Sequence, residues 1–277
     1  MNEISIVTDS TSDLPEEFTR KYGIQVVPNL VVINGESLQD GKEITRQEFY
    51  ERLPDMKPLP TTAAASSGMY NSVYQSLLKD GANRILSIHP PNSLSGILNA
   101  ARIAAGNFGD RVHVFDSSQV SLGLGFQVLA AAEMFQQGTR LEPVLSFLED
   151  LQHRIQIVAM LDTLEYVRRS GRVSWARARL GNMLHIKPFI GLKNGVVSSL
   201  GECRTRAKGL LRLMSFLQRV GKLERLAILH TNAEGEACKF LNELPVKLDN
   251  EPLIVNVTTV IGVHVGPNGL GFAAIAS

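Results

Sequence analysis

The segment Thr8-Asp9-Ser10-Thr11-Ser12-Asp13 sets six oxygen-bearing side chains in a row, directly after the apolar run Ile4 to Val7. At the carboxyl end of a strand such a cluster can line a ligand site, because open α/β sheets collect ligands there. The same residues can equally form Asx and hydroxyl turns with a helix cap. Two further hydroxyls, Thr62 and Ser95, each stand ahead of a predicted helix. Free backbone N–H groups and the positive end of the helix dipole make such places anion sites. A hydroxyl there either caps the helix or binds a carboxylate. His264 lies in IGVHVGPNGLG (261–271), among four glycines. It can donate to an anion or move a proton, or be an incidental histidine in a surface turn. His89, in the HPPNS loop near Ser95, is a lesser candidate. The basic clusters EYVRRSGRV (165–173) and ECRTRAK (202–208) read either as solvated helix faces or as a surface for an acidic partner or a phosphate.

Several chemistries lack their residues. The sequence has no phosphate-binding Gly-Lys-Ser/Thr loop, no dinucleotide fingerprint after the first strand, no HExxH and no Cys-x-x-Cys. It has no G-x-S-x-G elbow. The net charge is +1, with acids and bases mixed, which argues against a broad nucleic-acid-binding face. The two cysteines, Cys203 and Cys238, provide no disulfide framework and suit a reducing compartment. With no secretory pattern at the amino terminus and no apolar run long enough for a bilayer, a cytoplasmic protein is expected.

These candidates need elements to hold them. A chain of 277 residues exceeds the usual size of one core, so two domains are expected. Strands alternate with helices through residue 154, which predicts a parallel sheet covered on both faces. The predicted strands include 4–7, the run IQVVPNLVVI (24–33) interrupted at Pro28, and LIVNVTTVI (253–261). Asp13 is the predicted cap of a helix opening at Leu14-Pro15. The amphipathic helix 141–154 closes a first domain, 1–154. A second, 155–277, is mixed α/β, with a hairpin turning at Asn194-Gly195.

The chain resembles the DegV family of bacterial fatty-acid-binding proteins over essentially its full length. The likeness rests on nine segments in order: VTDSTSDLPEEF, VVPNLVVINGESLQDGKEIT, PTTAAASSGMY, SLSGILNAA, VFDSSQVSLGLG, DTLEYVRRSGRV, LGNMLHIKPFIGLKNG, CRTRAK and IGVHVGPNGLG. The resemblance implies an amino-terminal three-layer α/β/α domain with a mainly parallel sheet and a carboxy-terminal α/β domain with a mixed sheet. It implies a buried long-chain fatty acid as ligand, no cofactor, and in some members a separate kinase that phosphorylates the presented acid. It assigns Thr62, Ser95 and His264 to the carboxylate, and Arg172 and Arg204 to the head group or the kinase-facing surface. Two departures fall at the head-group site. Ala63-Ala64-Ala65 stands where the family usually has Ser-Gln-Pro, and HPPNSLSGI is longer than usual, with Ile97 in place of threonine. Ser93 and Gly96 are therefore further candidates, Ser93 as a substitute for Ser95. Against the lipid carrier stand an acyl hydrolase using Ser95 with His264, and a phosphoryl-transfer enzyme of the small-sugar kinase or phosphatase type.

Overall fold

The structure is a computed structural model that describes residues 4–178, 186–244 and 250–277. Its first part runs β1 (Ile4–Asp9), α1 (Glu16–Tyr22), β2 (Gln25–Val27), β3 (Leu30–Ile33), β4 (Glu36–Gln39), α2 (Arg46–Arg52), β5 (Thr61–Ala63), α3 (Ser67–Lys79), β6 (Arg84–His89), α4 (Ile97–Ala105), β7 (Val112–Asp116), α5 (Ser121–Gln136) and α6 (Leu141–Arg154). A parallel sheet has the order β2-β1-β6-β7. Its strands are apolar on both faces because helices cover both. Val7 and Ile85 pack toward Tyr70, Tyr74 and Ala101 of α3 and α4. Ile6, Leu86 and Ile88 pack toward α5. The alternation follows the two-residue period of a strand.

The run 24–33 is not one strand. β2 joins the parallel sheet, whereas β3 pairs antiparallel with β4 and β5 in a separate three-stranded sheet that the sequence did not suggest. Pro28 has no N–H to continue a ladder, and the chain changes sheets there. Nor does Asp13 cap α1. That helix starts at Glu16 after Pro15, without a side-chain cap, and Asp13 takes a left-handed φ of 56° and turns inward.

The second part follows α6 with no linker: β8 (Ile155–Met160), α7 (Glu165–Ser170), α8 (Ser174–Ala178), β9 (Lys187–Lys193), β10 (Val196–Cys203), α9 (Arg206–Val220), β11 (Leu223–His230), α10 (Glu234–Asn242), β12 (Leu253–Asn256), α11 (Thr259–Val265) and β13 (Leu270–Ala276). They form a mixed sheet of order β10-β9-β8-β13-β11-β12, in which only β11 and β12 pair in parallel. Asn194 and Gly195 both have positive φ, 50° and 73°, as the two-residue hairpin turn requires. The predicted strand 253–261 is cut short. β12 stops at Asn256, and Thr259 opens a helix. Of the segments carrying the resemblance, LGNML (180–184) and His185 lie outside the described residues.

Helix α5 lies between the two larger sheets and is buried almost throughout. Two glycines let it fit. A Cβ on Gly123 would come within 2.6 Å of Ile157 on β8, and one on Gly125 within 2.5 Å of the Ser12 carbonyl. One continuous core therefore joins Leu86 and Phe115, through α5 and α6, to Ile157, Leu229 and Ala273. The opposite face of the six-stranded sheet packs on α9 and α10 through Met160, Phe189, Leu213, Phe240 and Phe272.

Candidate functional site

A cavity of about 1270 Å³, open mouth included, lies where the carboxyl ends of the parallel strands meet the six-stranded sheet. Ile157, Ala159, Ile190, Leu192 and Val197 of β8, β9 and β10 form one wall. Ile97 at the start of α4, and Val260 and Ile261 of α11, form others. Most of the surface is apolar.

Thr62, Ser95, Ser170, Arg172 and His264 are among the polar residues that line it. Thr62 does not stand at a helix start. It is the middle residue of β5, paired with Val31, and α3 begins only at Ser67, where Ser66 Oγ accepts from Met69 N–H. The ladder, rather than a dipole, fixes this hydroxyl. His264 does not sit in a surface turn. It occupies the last turn of α11, and its Nε2 lies 3.2 Å from Thr62 Oγ1. Its Nδ1 is buried and has no hydrogen-bond partner among the described residues. Burial, and then the Arg172 guanidinium nearby, hold the imidazole down at about 4, so the ring is neutral near pH 7. Arg172 is exposed, lines the cavity mouth, and donates from Nη1 to the Ser170 carbonyl at 2.7 Å.

Ser95 lines the cavity just before α4, and its Oγ accepts weakly from Ile97 N–H at 3.4 Å. Gly96 is the exposed residue that precedes the helix and is not part of the lining. Ser93 is not part of the lining either. Its Oγ donates to the Gly195 carbonyl at 2.7 Å and, with Gly195 N–H to the Ser118 carbonyl at 3.0 Å, ties the hairpin tip to the first half. Arg204 is exposed and also lies outside the lining. The structure thus brings Thr62, Ser95, His264 and Arg172 to one cavity and leaves Ser93, Gly96 and Arg204 off it.

Of the opening cluster, Thr11 itself lines the cavity. Asp9 is fully buried. Its Oδ1 accepts from Thr11 N–H, Thr11 Oγ1 and Asn29 Nδ2, and its Oδ2 lies 2.7 Å from His89 Nδ1. His89 Nε2 meets Ser87 Oγ at 2.7 Å, and Ser87 meets Tyr74 OH at 2.8 Å. Serine, histidine and aspartate follow one another as in a hydrolase triad, but all three are sealed from solvent. Asn29 Oδ1 accepts from Ala65 N–H, which anchors the segment after Thr62. Asp13 accepts from Ser121 Oγ at 2.6 Å and Thr258 N–H at 2.7 Å, with Arg46 at 3.2 Å. Asp40 accepts from the hydroxyls of Thr258 and Thr259. These two carboxylates fix the start of α11 and so the helix that carries His264.

Sequence reasoning missed Asn29, Ser170, His230 and Thr231 as lining residues. The signal for His230 was slight: a histidine closing the apolar strand RLAILH. Among the described residues no group of three or more histidines, cysteines or acids could hold a metal ion, and no helix is long and apolar enough to cross a membrane.

The family model described as an uncharacterised protein, DegV family, matches residues 3–277. The chain belongs to the DegV family. A DegV domain-containing protein of Deinococcus radiodurans is 34% identical over 98% of this chain and 97% of its own. Protein DegV of Bacillus subtilis is 32% identical, with 97% of each covered. Among solved structures, a DegV family protein of Thermus thermophilus described for its fatty acid binding superposes with a TM-score of 0.90 at 33% identity, over 99% of both chains. DegV of Bacillus subtilis, described as a fatty acid binding protein, superposes with 0.87 at 31%, again over 99% of both. A stearic acid-binding protein of Eubacterium ventriosum gives 0.88 at 27%, over 99% of this chain and 98% of its own. This DegV-family chain therefore has the expected fold, a parallel sheet followed by a mixed one.

Proposed function

We propose that this protein holds a long-chain fatty acid in the cavity and carries it without chemistry of its own. The observation that carries this reading is the mostly apolar cavity on whose wall the Thr62 hydroxyl meets His264. Ligand pockets are concave and mostly apolar, with a few placed polar groups that fix orientation, and this lining has that character. Burying about 15 methylenes at roughly 0.8 kcal/mol each yields a gross gain near 12 kcal/mol. Association and ordering remove several kcal/mol or more of that, which leaves micromolar or tighter affinity without a covalent step. A carboxylate left unpaired in such a chamber is costly. Thr62 and Ser95 hydroxyls, the first N–H groups of α4 and the Arg172 cation supply partners. With its proton on Nε2, neutral His264 donates to Thr62, and the threonine hydroxyl turns its own proton to the ligand. The fatty-acid-binding relatives from Thermus thermophilus and Bacillus subtilis support the ligand class.

The acid is the only ligand this account requires. A separate kinase that phosphorylates the presented carboxylate is the proposed partner, with Arg172 and Arg204 as exposed cations facing it. The hydrolase reading needs His264 as base for Ser95, and no hydrogen bond joins the two among the described residues: Nε2 meets Thr62 and Ser95 Oγ accepts from Ile97 N–H. The test is solvent extraction of gently purified protein followed by mass spectrometry, then titration of stripped protein with fatty acids. One acyl class, recovered near one per chain and rebinding after stripping, is expected. A protein that emerges empty and takes up no acid overturns the proposal.

A further inference from the structure

Two further polar residues line the cavity and have no part in the carboxylate reading above. His230 ends β11 and Thr231 follows it. Both line the cavity, and they are only 4% and 3% exposed. His230 Nδ1 accepts from Ala233 N–H at 3.2 Å, so the proton of the neutral ring sits on Nε2. Burial holds this imidazole below its ordinary value, with Glu234 raising it and Arg46 lowering it. The Arg46 charge is itself taken up by Asp13 and the Asn256 carbonyl. Thr231 Oγ1 accepts from Gly269 N–H at 2.6 Å, which leaves its hydroxyl proton to donate elsewhere. Neither the His230 Nε2–H nor the Thr231 O–H has an acceptor among the described residues.

Both donors are fixed in place. Thr231 N–H donates to the Gly269 carbonyl, and Asn268 N–H donates to the Thr231 carbonyl. A Cβ on Gly269 would come within 3.0 Å of Thr231 Oγ1, so the glycine keeps that hydroxyl in position. A donor on a cavity wall that has no acceptor in the protein favours an occupant that brings one. The pole at Thr62 and His264 has the Arg172 cation beside it and suits a carboxylate. The pole at His230 and Thr231 is two neutral donors and suits a neutral oxygen.

We propose that His230 and Thr231 form a subsite for an acceptor oxygen on the ligand's chain, which makes the preferred ligand a long-chain acid bearing a hydroxyl or keto group. This rests on the fatty-acid reading above. The test titrates stripped protein with octadecanoic acid and a positional series of its hydroxy and keto derivatives. One position, or two adjacent ones, should bind roughly tenfold more tightly than the plain acid. In His230→Phe and Thr231→Val the ratio of the two affinities should fall toward one, and His230→Gln, which keeps a donor, should restore part of it. The nitrogen NMR signal of His230 Nε2 should shift with the favoured derivative and not with the plain acid. A flat positional series, or a ratio that survives both substitutions, overturns the proposal. So does a substitution that weakens both ligands equally, because it would put the carboxylate at this pole. If the variants do not fold, the series and the NMR signal of the unaltered protein decide. Failure of every acid to bind unaltered protein sinks the fatty-acid reading itself, a different result from a flat series.

Discussion

Thr62 and His264 stand 202 positions apart in the chain, and their side chains meet at 3.2 Å on the cavity wall. Neither half of the sequence contains the pair. Thr62 is held by the ladder of β5 on β3, and His264 by a helix whose first turn is bound to Asp13 and Asp40.

If this pair receives the carboxylate, Thr62→Val removes a donor to a charged group while nearly preserving shape. Hydrogen bonds to charged groups contribute about 1.5–3 kcal/mol, so fatty-acid affinity should fall roughly ten- to a hundredfold. Calorimetric titration of the folded variant measures this. An affinity equal to that of the unaltered protein would move the head group elsewhere.

Stability should depend on pH through two buried groups with opposite signs. His264 is held down at about 4 by burial and Arg172. Its contribution is present above its ordinary value and is lost as the pH falls from about 6.5 toward 4. Asp13 is pushed up to about 6 by burial, against Arg46, Ser121 and Thr258, with Asp40 adding to the rise. Its contribution is present below its ordinary value and is lost as the pH climbs through about 6. Between roughly pH 4 and 6 the two partly cancel, each with a slope of at most about 1.4 kcal/mol per unit. Relative to the unaltered protein, His264→Gln should therefore lose less stability on acidification, and Asp13→Asn less on raising the pH. Urea midpoints across that window decide the matter, and parallel curves for all three proteins would refute it.

Asp9→Ala should damage the fold more than the site. It strands Asn29, Thr11 and His89 without their shared acceptor, and breaking a buried charged network costs about 3–5 kcal/mol. The molecules that remain folded should still bind lipid. Thermal denaturation paired with titration at low temperature separates the two effects. A variant of normal stability that no longer binds would give Asp9 a direct role with the ligand.

Gly125→Ala should destabilise more than Gly123→Ala. The added methyl meets a backbone carbonyl in the first case and the end of the Ile157 side chain in the second. Overpacking costs typically 1–3 kcal/mol, and a side-chain tip yields where backbone does not. Denaturant midpoints should preserve that order, and the reverse order would show that the Ser12 loop gives way more easily than Ile157.

The parts legible in the sequence were those set by local chemistry. Asn194-Gly195 forces a hairpin because both residues tolerate positive φ, and the alternating strands and helices up to Arg154 dictate a parallel sheet. Elsewhere the deciding partner is remote in the chain. Asp13 has the sequence of a helix cap, but Ser121 and Thr258, 108 and 245 positions away, claim its oxygens. Thr258 and Thr259 have β-forming side chains, but Asp40 binds them at the start of a helix. Thr62 precedes a helix in the sequence, but its pairing with Val31 on β3 is what holds it. Nothing near His230 in the chain reveals that Ala233 N–H takes one ring nitrogen and leaves the other without an acceptor among the described residues.

The placement of α5 bears on how such molecules could be recombined. A rod gripped by both sheets cannot be credited to either half, and chimaeras of two relatives spliced at the α6 to β8 junction would inherit a rod cut for one neighbour and pressed against the other. Viable hybrids should be those that carry residues 121–136 together with the β8 segment that bears Ile157.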